Sequence, residues 1–156
     1  MRDFIDHVEG ELPDTVVIAD MEAGLEHLSI GTLRYIDALL VVVQPTAKTM
    51  MTADRTYKLA LELGIPQVAF LGNRIRRPAD EDQLRSFAAD HGSELLVAIP
   101  EDDNVRWADA QSRCILDLAP DSELVRAVTG LADQLERRFL APAPMPAPAA
   151  TEPSDR

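Results

Sequence analysis

Lysine never follows glycine in this chain. None of its seven glycines opens the Gly-Lys-Ser/Thr step with which a glycine-rich loop cradles phosphates, so no phosphate loop of that kind lies within these 156 residues. Cysteine occurs once, at Cys114. That excludes an intrachain disulfide and an all-cysteine metal site within one copy, and leaves Cys114 to be expected as a small apolar residue at the edge of the core. Positive charge is scarce: 15 lysines and arginines face 27 carboxylates, for a net charge of -12 and a pI near 4.5. Nucleic-acid affinity comes largely from cations that release counterions, so no nucleic-acid partner is expected. Long apolar runs are missing too. None approaches the roughly 20 residues that span a bilayer, and the first residues are acidic rather than basic and then apolar. No transmembrane segment and a cytoplasmic location are the expectation.

What is present is enough for one core. Hydrophobic side chains make up 46% of the chain, and a chain of this length supports a single domain, expected over residues 1–140. Residues 141–156 are rich in proline and alanine without apolar periodicity, and read as a disordered, semi-extended tail. Four apolar runs rich in β-branched residues punctuate the domain: Val16 to Ala19, Ala38 to Val43, Gln67 to Leu71 and Leu95 to Ile99. Each is nearly continuous rather than alternating, as in strands covered on both faces, and each is spaced from the next by enough chain for a crossover helix. The fold class this predicts is α/β, a mostly parallel sheet with flanking helices.

The connections agree. Thr49 to Gly64 places Met50, Ala53, Tyr57, Ala60 and Leu61 at helical spacing and stops at Gly64. Asp80 to His91 opens on three carboxylates at the positive end of a helix, buries Leu84, Phe87 and Ala88, and closes at Gly92. A last helix follows Pro120-Asp121-Ser122 and repeats Leu124, Val128, Leu131 and Leu135 on one face, ending near Leu140 with Arg137 and Arg138 at its negative end.

Ligands of open α/β sheets sit beyond the carboxyl ends of the strands. Four groups of residues fall there: Asp20 with Glu22-Ala23-Gly24, then Gln44-Pro45-Thr46, Gly72-Asn73-Arg74, and Pro100-Glu101-Asp102. A strand-end carboxylate such as Asp20 can hold a magnesium-bound water, and a glycine four residues on lets a backbone amide approach a phosphate. Asp20 can equally cap a helix after its strand. The carboxamide of Asn73 offers a donor and an acceptor in one plane, enough to read one edge of a purine; it is also a common turn residue. Arg74, Arg76 and Arg77 are the one tight basic cluster, suited to a phosphate, to a partner carboxylate or simply to water. His27 is a candidate ligand or proton carrier, or a hydrogen-bonded residue at a helix start.

Taken in order, Asp20-Met21-Glu22-Ala23-Gly24-Leu25-Glu26-His27-Leu28, Leu39-Leu40-Val41-Val42-Val43-Gln44-Pro45, Gly72-Asn73-Arg74-Ile75 and Ile99-Pro100-Glu101-Asp102 resemble the MinD/ParA superfamily of P-loop ATPases. Within it they look like the nickel-insertion accessory ATPases that mature carbon monoxide dehydrogenase, relatives of the nitrogenase iron protein. The similarity spans about residues 2 to 140. It implies that Asp20 is the switch II aspartate near Mg2+, reached through bound water, and that Gly24 approaches the γ-phosphate of ATP. It further implies that Asn73 contacts adenine while Pro100, Glu101 and Asp102 line the base.

The family's opening strand, its Lys-Gly-Gly-x-Gly-Lys-Thr loop and its metal-binding Cys-x-Cys pair have no counterpart in the sequence. The chain therefore reads as the C-terminal part of such an ATPase, an incomplete MinD-like fold. In the family the phosphate-loop strand lies between the strand ending at Asp20 and the strand ending at Val43. Two apolar edges would be left unpaired, which predicts oligomerisation or aggregation unless another chain donates a strand. The expected partners are a second copy or a chain supplying the phosphate loop, with a metalloenzyme as client. Alone, the chain is expected to be inactive in hydrolysis. The competing expectation is a non-enzymatic interaction domain; a receiver-type signalling domain fails for want of a clustered acidic pair and a lysine after a later strand.

Overall fold

The computed structural model describes residues 16–21 and 36–139. Three parallel strands, β1 (Leu39–Val43), β2 (Val68–Ile75) and β3 (Leu95–Pro100), form one sheet in the order β1-β2-β3. Helix α1 (Ala47–Glu62) crosses from β1 to β2 and α2 (Pro78–Asp90) from β2 to β3, and α3 (Asp103–Ala110), α4 (Ile115–Leu118) and α5 (Glu123–Phe139) follow. The α/β class read from the sequence is the observed one.

Helix ends are set by local chemistry. Thr46 precedes α1 in extended conformation and its hydroxyl accepts from the Thr49 amide, satisfying one of the donors a first turn leaves over. At the other end Gly64 sits at φ 75°, its N–H donating to Leu61 O and that of Ile65 to Ala60 O. The same paired bonds recur around Gly92 at φ 64°, where Gly92 N–H meets Ala89 O and Ser93 N–H meets Ala88 O. This left-handed closure is why both helices stop at glycine. Helix α3 closes the same way on Ser112 at φ 51°, with Arg113 N–H donating to Ala108 O. No glycine marks that end, and neither α3 nor α4 is foreshadowed in the apolar spacing.

Packing follows the two-residue period of the strands. Val41 and Val43 from β1, Phe70 from β2 and Leu95 from β3 join Ala53 of α1 and Leu84 and Ala88 of α2 in one buried cluster. Phe70 and Leu84 are fully buried, and the ring of Phe70 lies 5.5 Å from Tyr57 and 5.2 Å from Phe87. Leu84 also explains Gly72: a Cβ there would meet Leu84 Cδ1 at 3.1 Å, so the helix rests on bare backbone.

Four expectations change. Val16 to Ala19 is not a strand: the segment carries no regular structure, and Ile18 is 87% exposed. A strand exists only through its neighbour's hydrogen bonds, and among the described residues this segment pairs with none. Among the described residues β1 pairs on one side only, and Val42 between two buried valines is 59% exposed, so β1 is covered on one face rather than two. Cys114, expected at the core edge, is exposed, because it precedes the four-residue surface helix α4. Helix α5 packs on β3, but Val125 is its buried residue and Val128 is exposed.

Candidate functional site at the carboxyl ends of the strands

The candidate residues fall at the ends of β2 and β3. Parallel pairing holds in register at Gly72 with Ala98, slips, and resumes with Ile75 opposite Pro100. Asn73 and Arg74 occupy the slip, so they belong to an irregular strand rather than to the loop expected after it. Arg74 takes φ 56°, uncommon for a residue with a Cβ. Ile75 O accepts from the Glu101 amide at 2.9 Å. Pro100 and Glu101 thereby stand against Ile75, two residues beyond Asn73, and Asp102 follows them along the chain. Asp20 lies exposed at the end of the segment 16–21, outside the sheet, and Gly24, with Glu22 and His27, lies outside the described residues.

Asn73, Glu101 and Asp102 each have a defined partner among the described residues. Asn73 Oδ1 accepts from the Arg74 amide at 2.8 Å, which fixes the amide orientation and turns its Nδ2 donor outward from that bond. Glu101 is gripped by Arg76 through both carboxylate oxygens, Nη2 to Oε1 at 2.9 Å and Nε to Oε2. That guanidinium holds the Glu101 carboxyl below the usual glutamate range. Asp102 caps α3, its Oδ1 accepting from the Asn104 amide at 2.9 Å and from Asn104 Nδ2 at 2.7 Å. The Asn104 amide is the main cause of its lowered pKa.

Asp80 is the residue that sequence reasoning left as one acid among three. It is buried, its Oδ1 accepts from Arg77 Nη2 at 2.7 Å and its Oδ2 from the amides of Arg76 and Arg77, each at 3.1 Å. The Arg77 guanidinium first, then those amides, hold its carboxyl below the ordinary aspartate value. The spacing Arg77-Pro78-x-Asp80, proline at the first helical position and an acid at the third, was the available signal. The basic cluster is thus answered largely from within: Arg76 by Glu101, Arg77 by Asp80.

A carboxylate with a depressed pKa contributes stability that is complete above the unfolded-state value, about 3.9 for aspartate, and is lost as pH falls through the folded-state value below it. The midpoint of thermal unfolding should therefore drop more steeply between pH 4 and 2 in the native chain than in Asp80→Asn. Parallel pH profiles of the two would remove Asp80 from this role.

At the opposite end of the sheet a cleft of about 490 Å³ is lined by residues including Leu39, Tyr57, Ile65, Glu94, Arg138 and Phe139. It opens at the amino ends of the strands, away from Asn73, Pro100, Glu101 and Asp102. Among the described residues there is no cluster of three or more potential metal ligands, and no helix long and apolar enough to cross a membrane.

A parallel layer with its polar loops gathered at the carboxyl ends is the architecture of a nucleotide-binding α/β protein. No protein-family model matches the chain. Among curated proteins it is 40% identical over 93 residues to an uncharacterized ATP-binding protein of Methanocaldococcus jannaschii, covering 59% of this chain and 36% of that one. It is 32% identical over 122 residues to the carbon monoxide dehydrogenase accessory protein CooC of Rhodospirillum rubrum, covering 77% of this chain and 44% of that one. Among solved structures, the septum site-determining protein MinD of Pyrococcus horikoshii, complexed with Mg-ADP, superposes with a TM-score of 0.68 at 20% identity, over 88% of this chain and 56% of that one. The chain is a homologue of these ATP-binding proteins and of the carbon monoxide dehydrogenase accessory protein, and its fold is that of the MinD/ParA ATPases. It spans less than half the length of these two curated relatives.

Proposed function

We propose that the chain supplies the switch II side and the adenine side of an ATP site that serves metallocentre maturation, with nickel insertion into carbon monoxide dehydrogenase as the model task. The observation that carries the reading is the pairing of Ile75 with Pro100. It joins the end of β2, two residues beyond Asn73, to Pro100 and Glu101 at the end of β3, in a chain 32% identical to a carbon monoxide dehydrogenase accessory protein. In this reading Asn73 meets adenine with its free Nδ2 donor, Pro100 and the backbone of Glu101 and Asp102 line the base, and Gly24 approaches the γ-phosphate. Asp20, an exposed carboxylate, fits the task of accepting hydrogen bonds from magnesium-bound water. Magnesium, when bound, supplies neutralising charge at the phosphates.

The phosphate side does not fit within this chain, because no glycine is followed by lysine. The opposing grip is assigned to a polypeptide segment outside this sequence that carries the phosphate loop, in the cytoplasm and with a metalloenzyme as client; a second copy, which has the same residues, is a partner for dimerisation rather than the source of that loop. Calorimetry with Mg-ATP on the purified chain should show affinity no tighter than about millimolar, roughly -4 kcal/mol, and turnover at background. Tight, magnesium-dependent capture of ATP by the lone chain overturns the one-sided site.

A second reading, a non-enzymatic interaction domain, is favoured by the exposure of Ile18 and Val42, apolar residues that a partner would cover. Association with a phosphate-loop protein that survives replacement of both Asp20 and Asn73 would select it.

A further inference from the structure

Beyond the pairing slip at Asn73 and Arg74 the ends of β2 and β3 share a single ladder pair, Ile75 with Pro100. Two bonds span them beyond the slip. One is the Glu101 amide on Ile75 O at 2.9 Å. The other is the two-point contact of Arg76 with Glu101. Arg76 is itself fixed from behind, since its amide donates to the buried Asp80 at the start of α2. A continuous strap thus runs from α2 through Arg76 to the end of β3. Arg106 Nη2 stands 3.9 Å from Glu101 Oε1, too far to replace the planar two-point grip.

We propose that Arg76 is a positioning residue for the base pocket: it holds Glu101 across the two strand ends, so that Glu101 works through Arg76 rather than on the ligand, and the strap sets where Asn73 stands relative to the Asp102 turn. The inference rests on the adenine-side reading given above. It separates this role from overall stability, because the Arg76 side chain is 67% exposed and exposed ion pairs add little to folding. The effect of breaking it is local.

The test uses the full chain, labelled with nitrogen-15, as native protein, Arg76→Ala, Arg76→Lys, Glu101→Gln, and Arg76→Glu combined with Glu101→Arg. Without ligand, Arg76→Ala should speed hydrogen exchange at the Glu101 amide about fivefold and shift the Asn73 side-chain amide signals, while the melting midpoint moves by no more than about 3 °C. With adenosine as probe, Arg76→Ala and Glu101→Gln should each weaken binding about fivefold, equal to ~1 kcal/mol. The charge-reversed pair should recover most of it, and Arg76→Lys should not, since an ammonium cannot make the fork contact. Unaltered exchange and Asn73 signals in Arg76→Ala overturn the strap. Weakened adenosine binding in Glu101→Gln alone overturns it as well, placing Glu101 on the ligand. Altered exchange in a native chain that takes no adenosine at millimolar concentration overturns the base pocket, and with it the positioning role, while the exchange result shows that the strap itself was not at fault.

Discussion

Replacing Phe70 with alanine should destabilise the domain by about 3–5 kcal/mol, the usual cost of emptying a fully buried aromatic site. Phe70 lies on the central strand and is 0% exposed. Its ring meets Tyr57 from α1, Phe87 from α2 and His91 just beyond, with centroids 5.5, 5.2 and 5.7 Å away. The cavity would open at the one point where both crossover helices and the sheet converge, so no single element can relax into it. Against a typical total of roughly 5–15 kcal/mol, and with β1 covered on one face, the variant should lose most of its cooperative transition. Urea unfolding followed by circular dichroism measures it. Phe70→Leu, which keeps most of the volume, should cost clearly less, and equal small losses below about 1 kcal/mol in both would show that this cluster is not the core.

Supplying the missing grip should have the largest effect on chemistry. A polypeptide carrying the family's first strand and its Lys-Gly-Gly-x-Gly-Lys-Thr loop, mixed with this chain and Mg-ATP, should raise turnover from background by at least ~10²-fold, the scale of restoring even one preorganised charge-stabilising contact. The structural ground is the sheet itself: among the described residues β1 pairs only with β2, and its run of leucine and valine carries no charge to repel an incoming strand. Asp20→Ala in the complemented mixture should return turnover to background without preventing association. A complex that forms yet hydrolyses nothing, or activity indifferent to Asp20, would remove the chain from an ATP site.

How far the sequence could be read depends on where each signal resides. Helices α1 and α2 were legible because their stops are chemical: Gly64 and Gly92 adopt left-handed conformations that few other residues accept. Helix α3 was illegible because its stop is Ser112, which adopts the same conformation without advertising it. The strand-end groups could be placed from the rule that ligands gather at carboxyl ends, and the ends of β2 and β3 do meet there through Ile75, Pro100 and Glu101. What could not be read was their engagement with one another. Glu101 and Arg76 are 25 residues apart, and nothing local to either marks the other as its partner.

The sequence by itself determined the parallel α/β class, the two crossover helices, the likeness to the carbon monoxide dehydrogenase accessory protein and the lack of a glycine-lysine loop, because these are properties of pattern and composition. Only the tertiary structure decided that Val16 to Ala19 stands outside the sheet, that Asn73 sits in a pairing slip with its carbonyl already engaged, and that Arg76 and Asp80 brace the end of β3. A strand is made by its neighbour and an ion pair by the fold that brings its members within reach, so neither is written in the residues that form it.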